Sequence, residues 1–230
     1  MGIFRFLYGG MWLCLRSDDT IGLMKSVLWR IWHVIRWPLA VLVVLYVAIV
    51  IYSFPHALEK EKTEQTIARI HAQKLTIENV NGEHLPPPPD PAQVDATIEG
   101  VDLNANGIRD DVELAIFEKY PNDAKIRAAE LQYAMALQMY LTEVFNSETW
   151  KAVALYSGRG YGCIYDTGPN VTLSDGDERI RQAFAIIQKR IDETEKLVFN
   201  TSERQSAYDA VEKYTTSFGG SDNQDCDLQL

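Results

Sequence analysis

Residues Asp102 to Glu113 read DLNANGIRDDVE. Oxygen-bearing side chains stand at positions one, three, five, nine and twelve of this run, and glycine at position six. That is the spacing of a calcium loop. Asp102, Asn104 and Asn106 would offer side-chain oxygens, and Gly107 allows the sharp turn that brings the later ligands round. Ile108 would give its backbone carbonyl, Asp110 would bind directly or through water, and Glu113 would close the site with both carboxylate oxygens. Two of the early ligands are neutral Asn. The expected Ca2+ affinity is therefore weaker than that of a cytosolic buffer, and magnesium, which demands a tight octahedron, suits the run less well. A competing reading needs no metal. Asp110 and Asp111 at the start of a helix favour its macrodipole and cap it, although capping alone does not call for Asp102, Asn104, Asn106 and Glu113.

Downstream of the loop the pattern is helical throughout. Asp110 to about Tyr120 is the predicted exiting helix, ended by Pro121-Asn-Asp123. Asp123 is placed to cap a helix running to about Phe145, in which Ile126, Ala129, Tyr133, Leu137, Tyr140 and Val144 form one stripe and Leu131, Met135 and Met139 another. A helix with two apolar stripes packs on two sides. A third helix is predicted from Ser147 to Tyr156, with Trp150 and Val153 inward, and the glycines from Gly158 to Gly162 are expected to break it as a hinge or a tight approach beside Cys163. Asp177 to Phe199 reads as a long helix with Ile180, Phe184, Ile187, Ile191 and Val198 on its buried face. Asn200 with Glu203 resembles a capping box for a last helix, Thr201 to about Phe218, stopped by Gly219-Gly220.

Upstream, Pro86 to Pro89 with Pro91 predict an extended, semi-rigid spacer. Before it, His56 to about Asn79 reads as a helical stalk whose thin stripe, Ile67, Ile70 and Ile77, is interrupted by Lys74. A solvated stalk and a short coiled coil between chains both fit that stripe. Earlier still, no Lys, Arg, Asp or Glu occurs from Trp37 to Leu58, a length that spans the roughly 30 Å hydrocarbon layer as a helix. Trp29, Trp32 and Trp37 flank one end and Tyr52 and Phe54 the other, as an interfacial belt does. Lys25, Arg30 and Arg36 lie on the N-terminal side, so the positive-inside tendency puts that end in the cytoplasm and the C-terminal part outside. Ser53-Phe-Pro-His-Ala57 is a poor cleavage site, which favours a retained signal anchor over a cleaved signal peptide. Pro38 is expected at the start of the span, where its missing N–H costs little.

The charge is unevenly placed. Residues 1–54 carry five Lys/Arg and two Asp, whereas the remainder carries 17 Lys/Arg and 30 Asp/Glu. An acidic C-terminal part argues against nucleic acid as a partner. Cys163 and Cys226 lie beyond the apolar segment and are either a disulfide closing a loop of about 60 residues or two separate thiols. The expected architecture is mainly α: residues 1–36 cytoplasmic, 37–58 transmembrane, 59–92 stalk and proline-rich linker, 93–220 a small helical bundle entered through one calcium loop, and 221–230 a polar tail.

The loop resembles the Asp-rich calcium loops of thrombospondin type 3-like repeats and is similar to an EF-hand loop. The wording from Asn106 to Glu113 further resembles uncharacterised bacterial envelope proteins that carry one such loop before a helical region. The likeness covers the twelve loop residues. It departs from a paired EF-hand in having a proline-rich segment where an entering helix would stand, and Arg109 where paired hands place an aliphatic residue. The resemblance implies calcium binding and export, with Asp102, Asn104, Asn106, Ile108, Asp110 and Glu113 as ligands, and no defined activity. The expected function is a single-pass protein of the inner membrane with an extracytoplasmic, calcium-stabilised helical part in a binding or structural role. Its partners would be the membrane, an envelope protein, or a second copy met through the stalk. The alternative is an envelope hydrolase using carboxylates or a metal. His56, His71 and His84 fall outside the predicted bundle, and no Gly-x-Ser-x-Gly or His-Glu-x-x-His occurs, so no catalytic residue is assigned.

Overall fold

A computed structural model describes residues 17–172, 174–217, 219 and 225–230. The N-terminal stretch Met1 to Arg16 with Cys14, the glycine stop at Gly220 and residues 221–224 of the tail lie outside the described residues. The chain is mainly helical, with no strand among the described residues. It divides into two compact units, Met1–Glu59 and Lys60–Leu230.

Helix α1 (Ser17–Ala72) supplies the described part of the first unit and contributes its last residues to the second. It is the one helix among the described residues long and apolar enough to cross a membrane, and its most apolar window has a mean hydropathy of 2.5. Every residue from Val34 to Glu59 is exposed. Pro38 departs from the expected place. It lies inside α1, as does Pro55, because the helix begins well upstream. Each removes one backbone donor from the helix interior.

The second unit is built from α2 (Ile77–Asn81), α3 (Pro91–Val94), α4 (Asp110–Lys119), α5 (Ala124–Thr142), α6 (Ser147–Asp166), α7 (Asp177–Val198) and α8 (Ser202–Val211), followed by a 3-10 turn at Glu212–Tyr214. Helix α5 is its axis and packs against α2, α4, α6, α7 and α8. All residues from Arg127 to Tyr140 are buried. Ala128, Ala129, Ala134 and Ala136 let neighbours close in on several sides, while Leu131, Met135, Leu137 and Met139 fill the space between them. Asp123 caps the helix as expected, accepting from the Ile126 N–H at 2.9 Å.

The stalk expectation is corrected. Residues 60–80 belong to the second unit, and Thr63, Thr66, Ile70, Leu75 and Val80 are buried in it. The stripe was thin because α1 stops at Ala72 and a second short helix, capped by Thr76, supplies the remaining apolar contacts. Ile70 is therefore spent on its own core rather than left for a coiled coil. The proline spacer is likewise no boundary. It lies within the second unit, and the His84 carbonyl just before it accepts from Asn104 at 3.0 Å.

Helix α6 does not break at its glycines but continues to Asp166. The tight-approach reading of those glycines holds instead. A Cβ at Gly160 would lie 3.0 Å from Tyr133 Cα, and one at Gly162 would lie 2.5 Å from the Asp225 carboxyl. Gly160→Val should force α5 and α6 apart and cost roughly 1–3 kcal/mol. Thermal unfolding followed by far-UV circular dichroism measures this, and an unchanged midpoint would contradict the packing described. Two further expectations fail locally. Phe184 is 50 % exposed and meets Tyr165 edge-on instead of joining the core. The last helix is shorter than expected and is capped by Thr201, because Asn200 is engaged by Arg204.

Cys163 and Cys226 are joined in a disulfide. The described end of the tail is therefore a strap rather than a loose polar segment. Beside the disulfide, the fully buried Asp227 carboxylate accepts from Leu75 N–H at 3.0 Å, Tyr156 O–H at 2.9 Å and Arg159 at 2.6 Å.

Candidate metal centre

The predicted loop lies between residue 101 and the first turn of α4, and its conformation is set by its own side chains. Asp102 accepts from the N–H groups of Asn106 (3.2 Å) and Gly107 (2.9 Å). Asn104 accepts from Asn106 N–H at 3.3 Å, and Asn106 from Ile108 N–H at 2.8 Å. These are the local side-chain-to-backbone bonds that Asn and Asp favour in turns. The chain reverses through Ala105 at φ 54° and Gly107 at φ 85°, and the second of these is why glycine is needed at position six. Gln73, from the end of α1, lies over Gly107 and donates to the Asn106 carbonyl at 3.1 Å.

The loop also brings α4 into place. Asp110 N–H donates to the Val101 carbonyl at 2.8 Å, and Asp110 Oδ1 accepts from Leu103 N–H at 3.0 Å. Asp110 thus reaches back into the loop. The helix cap is Arg109, with no side-chain capping bond, so neither acid caps the helix, although Asp110 and Asp111 do stand in its first turn, where the macrodipole favours them. Arg109 is buried and donates to the Val198 and Leu197 carbonyls, at 3.0 and 2.8 Å, as well as to Asp111. It ties the loop to the C-terminal end of α7, where a cation is favoured. Gly100, at φ 70°, sits against this side chain: a Cβ there would be 2.2 Å from Arg109 Cδ.

The chemistry gathers at Asp110 and Glu113, both buried to 1 % exposure or less. Glu113 accepts Asn104 Nδ2 at 3.0 Å on one oxygen and Asn106 Nδ2 at 2.9 Å on the other. Burial pushes its carboxyl up to about 7, against the two amide donors, and the neighbouring Asp102 and Asp110 push the same way. Asp110 is raised chiefly by burial, with Leu103 N–H opposing and Asp102 and Asp111 adding to the rise. Among the described residues no Lys or Arg forms an ion pair with either carboxyl, Arg109 being paired with Asp111 instead. Asp110 Oδ2 is buried without a hydrogen-bond partner among the described residues. An unpartnered buried carboxylate oxygen costs free energy unless something cationic meets it.

The structure joins Asn104 and Asn106 to Glu113, turns Asp102 onto the loop's own N–H groups and Asp110 onto Leu103 N–H, and buries Ile108. Among the described residues no group of three or more His, Cys, Asp or Glu is gathered to hold a metal. The donor set, oxygen-only with three carboxylates and two Asn, fits a hard cation of the calcium kind. Arg109, Gln73 and Gly100 support the site and were not predicted. In the sequence Arg109 stands out only as a departure from the paired EF-hand pattern.

No family model, curated protein or solved structure matches this chain. His56, His71 and His84 are all exposed. Two cavities lie near the C-terminal strap. One, of about 250 Å³, is lined by both disulfide cysteines, Lys125, Asp166 and Asp225. The other, of about 550 Å³, is lined by Tyr165, Phe184, Lys125 and Asp166. A shallower groove of about 460 Å³ runs beside the loop.

Proposed function

We propose that this is a single-pass inner-membrane protein whose Lys60–Leu230 unit faces the extracytoplasmic side and is locked by a calcium ion at Asp102–Glu113. Its role is binding or structural, toward another envelope protein. One observation carries the cation: the buried Asp110 Oδ2 without a hydrogen-bond partner among the described residues, beside a Glu113 whose charged form is disfavoured by burial and by its acidic neighbours. Asp102, Asn104, Asn106, Asp110 and Glu113 would hold the ion with the Ile108 carbonyl. The ion would supply the positive charge that no ion pair with Lys or Arg provides there among the described residues. The loop residues also contact the end of α1, the His84 segment and, through Arg109, the end of α7. A cation would thus fasten three parts of the unit at one point. The anchor rests on the exposed apolar stretch of α1, and its orientation on Lys25, Arg30 and Arg36 at one end of it.

A ligand at about 100 times its dissociation constant adds about 2.7 kcal/mol. For a unit of this size that corresponds to a rise in unfolding midpoint of roughly 5–10 °C. The full chain in detergent micelles should show this rise on going from chelator to millimolar calcium, and Glu113→Gln should abolish it. A midpoint indifferent to calcium in the unaltered protein would remove the cation from the proposal.

A further inference from the structure

The groove beside the loop differs from the two cavities near the strap in its charge. It is lined by Arg69, Lys74 and polar side chains, among them Gln73, Asn79, Asn104 and Asn106, and by no Asp or Glu. Both other cavities include Asp166. A cationic lining without a carboxylate stands out in a chain with 30 Asp/Glu against 17 Lys/Arg beyond residue 54. Lys74 is the residue that interrupted the apolar stripe of the predicted stalk. It is exposed just past the end of α1 and takes part in no ion pair among the described residues. Arg69 is held by Glu143 at 3.0 Å and reaches Thr66 at 3.3 Å, so it is a fixed wall rather than a loose charge. Asn79 has its Oδ1 engaged by the N–H and O–H of Thr76, at 3.1 and 2.9 Å, which aims its amide donor elsewhere.

We infer that this groove binds a small oxyanion, a carboxylate or phosphate group, with Lys74 as its principal charge and Arg69 and the Asn79 amide as flanking donors. The groove borders the cation loop and shares Asn104, Ala105 and Asn106 with it, while both of its cationic side chains, Arg69 and Lys74, come from outside the loop. A group gripped in this way meets charge-assisted hydrogen bonds, and because the groove is open its binding weakens with salt.

The test uses the full chain in neutral detergent at low ionic strength, with chelator present throughout. Calorimetric titrations are made with inorganic phosphate, glycerol 3-phosphate, D-glucuronate and, as a neutral control, D-glucose. At least one anion should bind saturably while glucose does not. Lys74→Gln should weaken it about tenfold, and the remote, exposed Lys189→Gln should leave it unchanged. The preferred anion names the source: glycerol 3-phosphate a lipid headgroup, glucuronate an acidic sugar, phosphate the free ion. Binding by none of the three, equal binding of glucose, or undiminished binding by a Lys74→Gln protein with an unaltered melting curve would each overturn the inference. Since calcium is absent, none of these results bears on the cation loop.

Discussion

Glu130→Ala should lower the stability of the second unit by about 3–5 kcal/mol, the cost of leaving a buried guanidinium without its partner. Glu130 is fully buried on α5, and Arg190 of α7 is nearly so. The pair is made at 2.8 Å through Arg190 Nε. The same carboxylate takes a hydrogen bond from Thr194 and one from Tyr120 O–H at 3.3 Å. Arg190 spends its other donors on the Ile164 carbonyl, at 3.2 Å, and on Thr167 Oγ1, at 3.0 Å, both on α6 or its cap. One carboxylate thus serves as the meeting point of α4, α5, α6 and α7. Without it, Arg190, Thr194 and Tyr120 lose a partner together, and water has no ready path to replace it.

Urea titration of the full chain in micelles, followed by far-UV circular dichroism, measures the loss. Arg190→Met alone should cost a similar amount, since it strands the carboxylate. The double variant Glu130→Leu with Arg190→Met should recover much of the loss, because an apolar pair needs no mutual satisfaction. A cost under about 1 kcal/mol for Glu130→Ala, in the range of exposed pairs, would mean that the network is open to solvent.

Neither partner of that network is visible in the sequence. Glu130 and Arg190 lie 60 residues apart, and each stands on a helix whose stripe was read from its apolar residues alone. Periodicity shows which face is apolar, and it found α4, α5 and α7 to within a residue or two at most ends. It cannot say that a charged residue on a buried face has met its opposite from another helix. Arg109 and Arg204 show the same blindness. Both are buried, and both satisfy carbonyls distant in sequence, Arg109 at the end of α7 and Arg204 at Val94, Thr97 and Ile98. The glycines of α6 misled for a related reason. A glycine's freedom suggests a break, whereas here its missing side chain is what lets Tyr133 approach. The turn of the loop was legible because its hydrogen bonds are local: Asp102, Asn104 and Asn106 fix it through bonds to the loop's own N–H groups. What closes over it, Gln73 above all, comes from a segment that reads as an isolated stalk.

Removing the disulfide should cost about 4 kcal/mol. The bond joins residues separated by 63 positions, and closing a loop of that length restricts the unfolded chain by about this amount. In melting temperature that is roughly 8–16 °C for a unit of this size. The structural effect should be local and directional. Cys226 sits beside Asp227, whose carboxylate holds Leu75 N–H, Tyr156 and Arg159, and whose N–H donates to Gln132 at 2.8 Å. The Asp225 carbonyl accepts from the same Gln132 at 2.7 Å. Cys226→Ala leaves these bonds possible but no longer tethered. Hydrogen exchange should therefore rise first at Leu75 and along the exposed face of α6 near Arg159, before α5 loses protection. The same bond tests the orientation proposed for α1. If the second unit lies outside the cytoplasm, protein taken from cells under alkylating conditions should carry no free thiol at Cys163 or Cys226. Quantitative alkylation of both in freshly broken cells would place the unit on the reducing side, and the charge asymmetry across α1 would then have been read in the wrong direction.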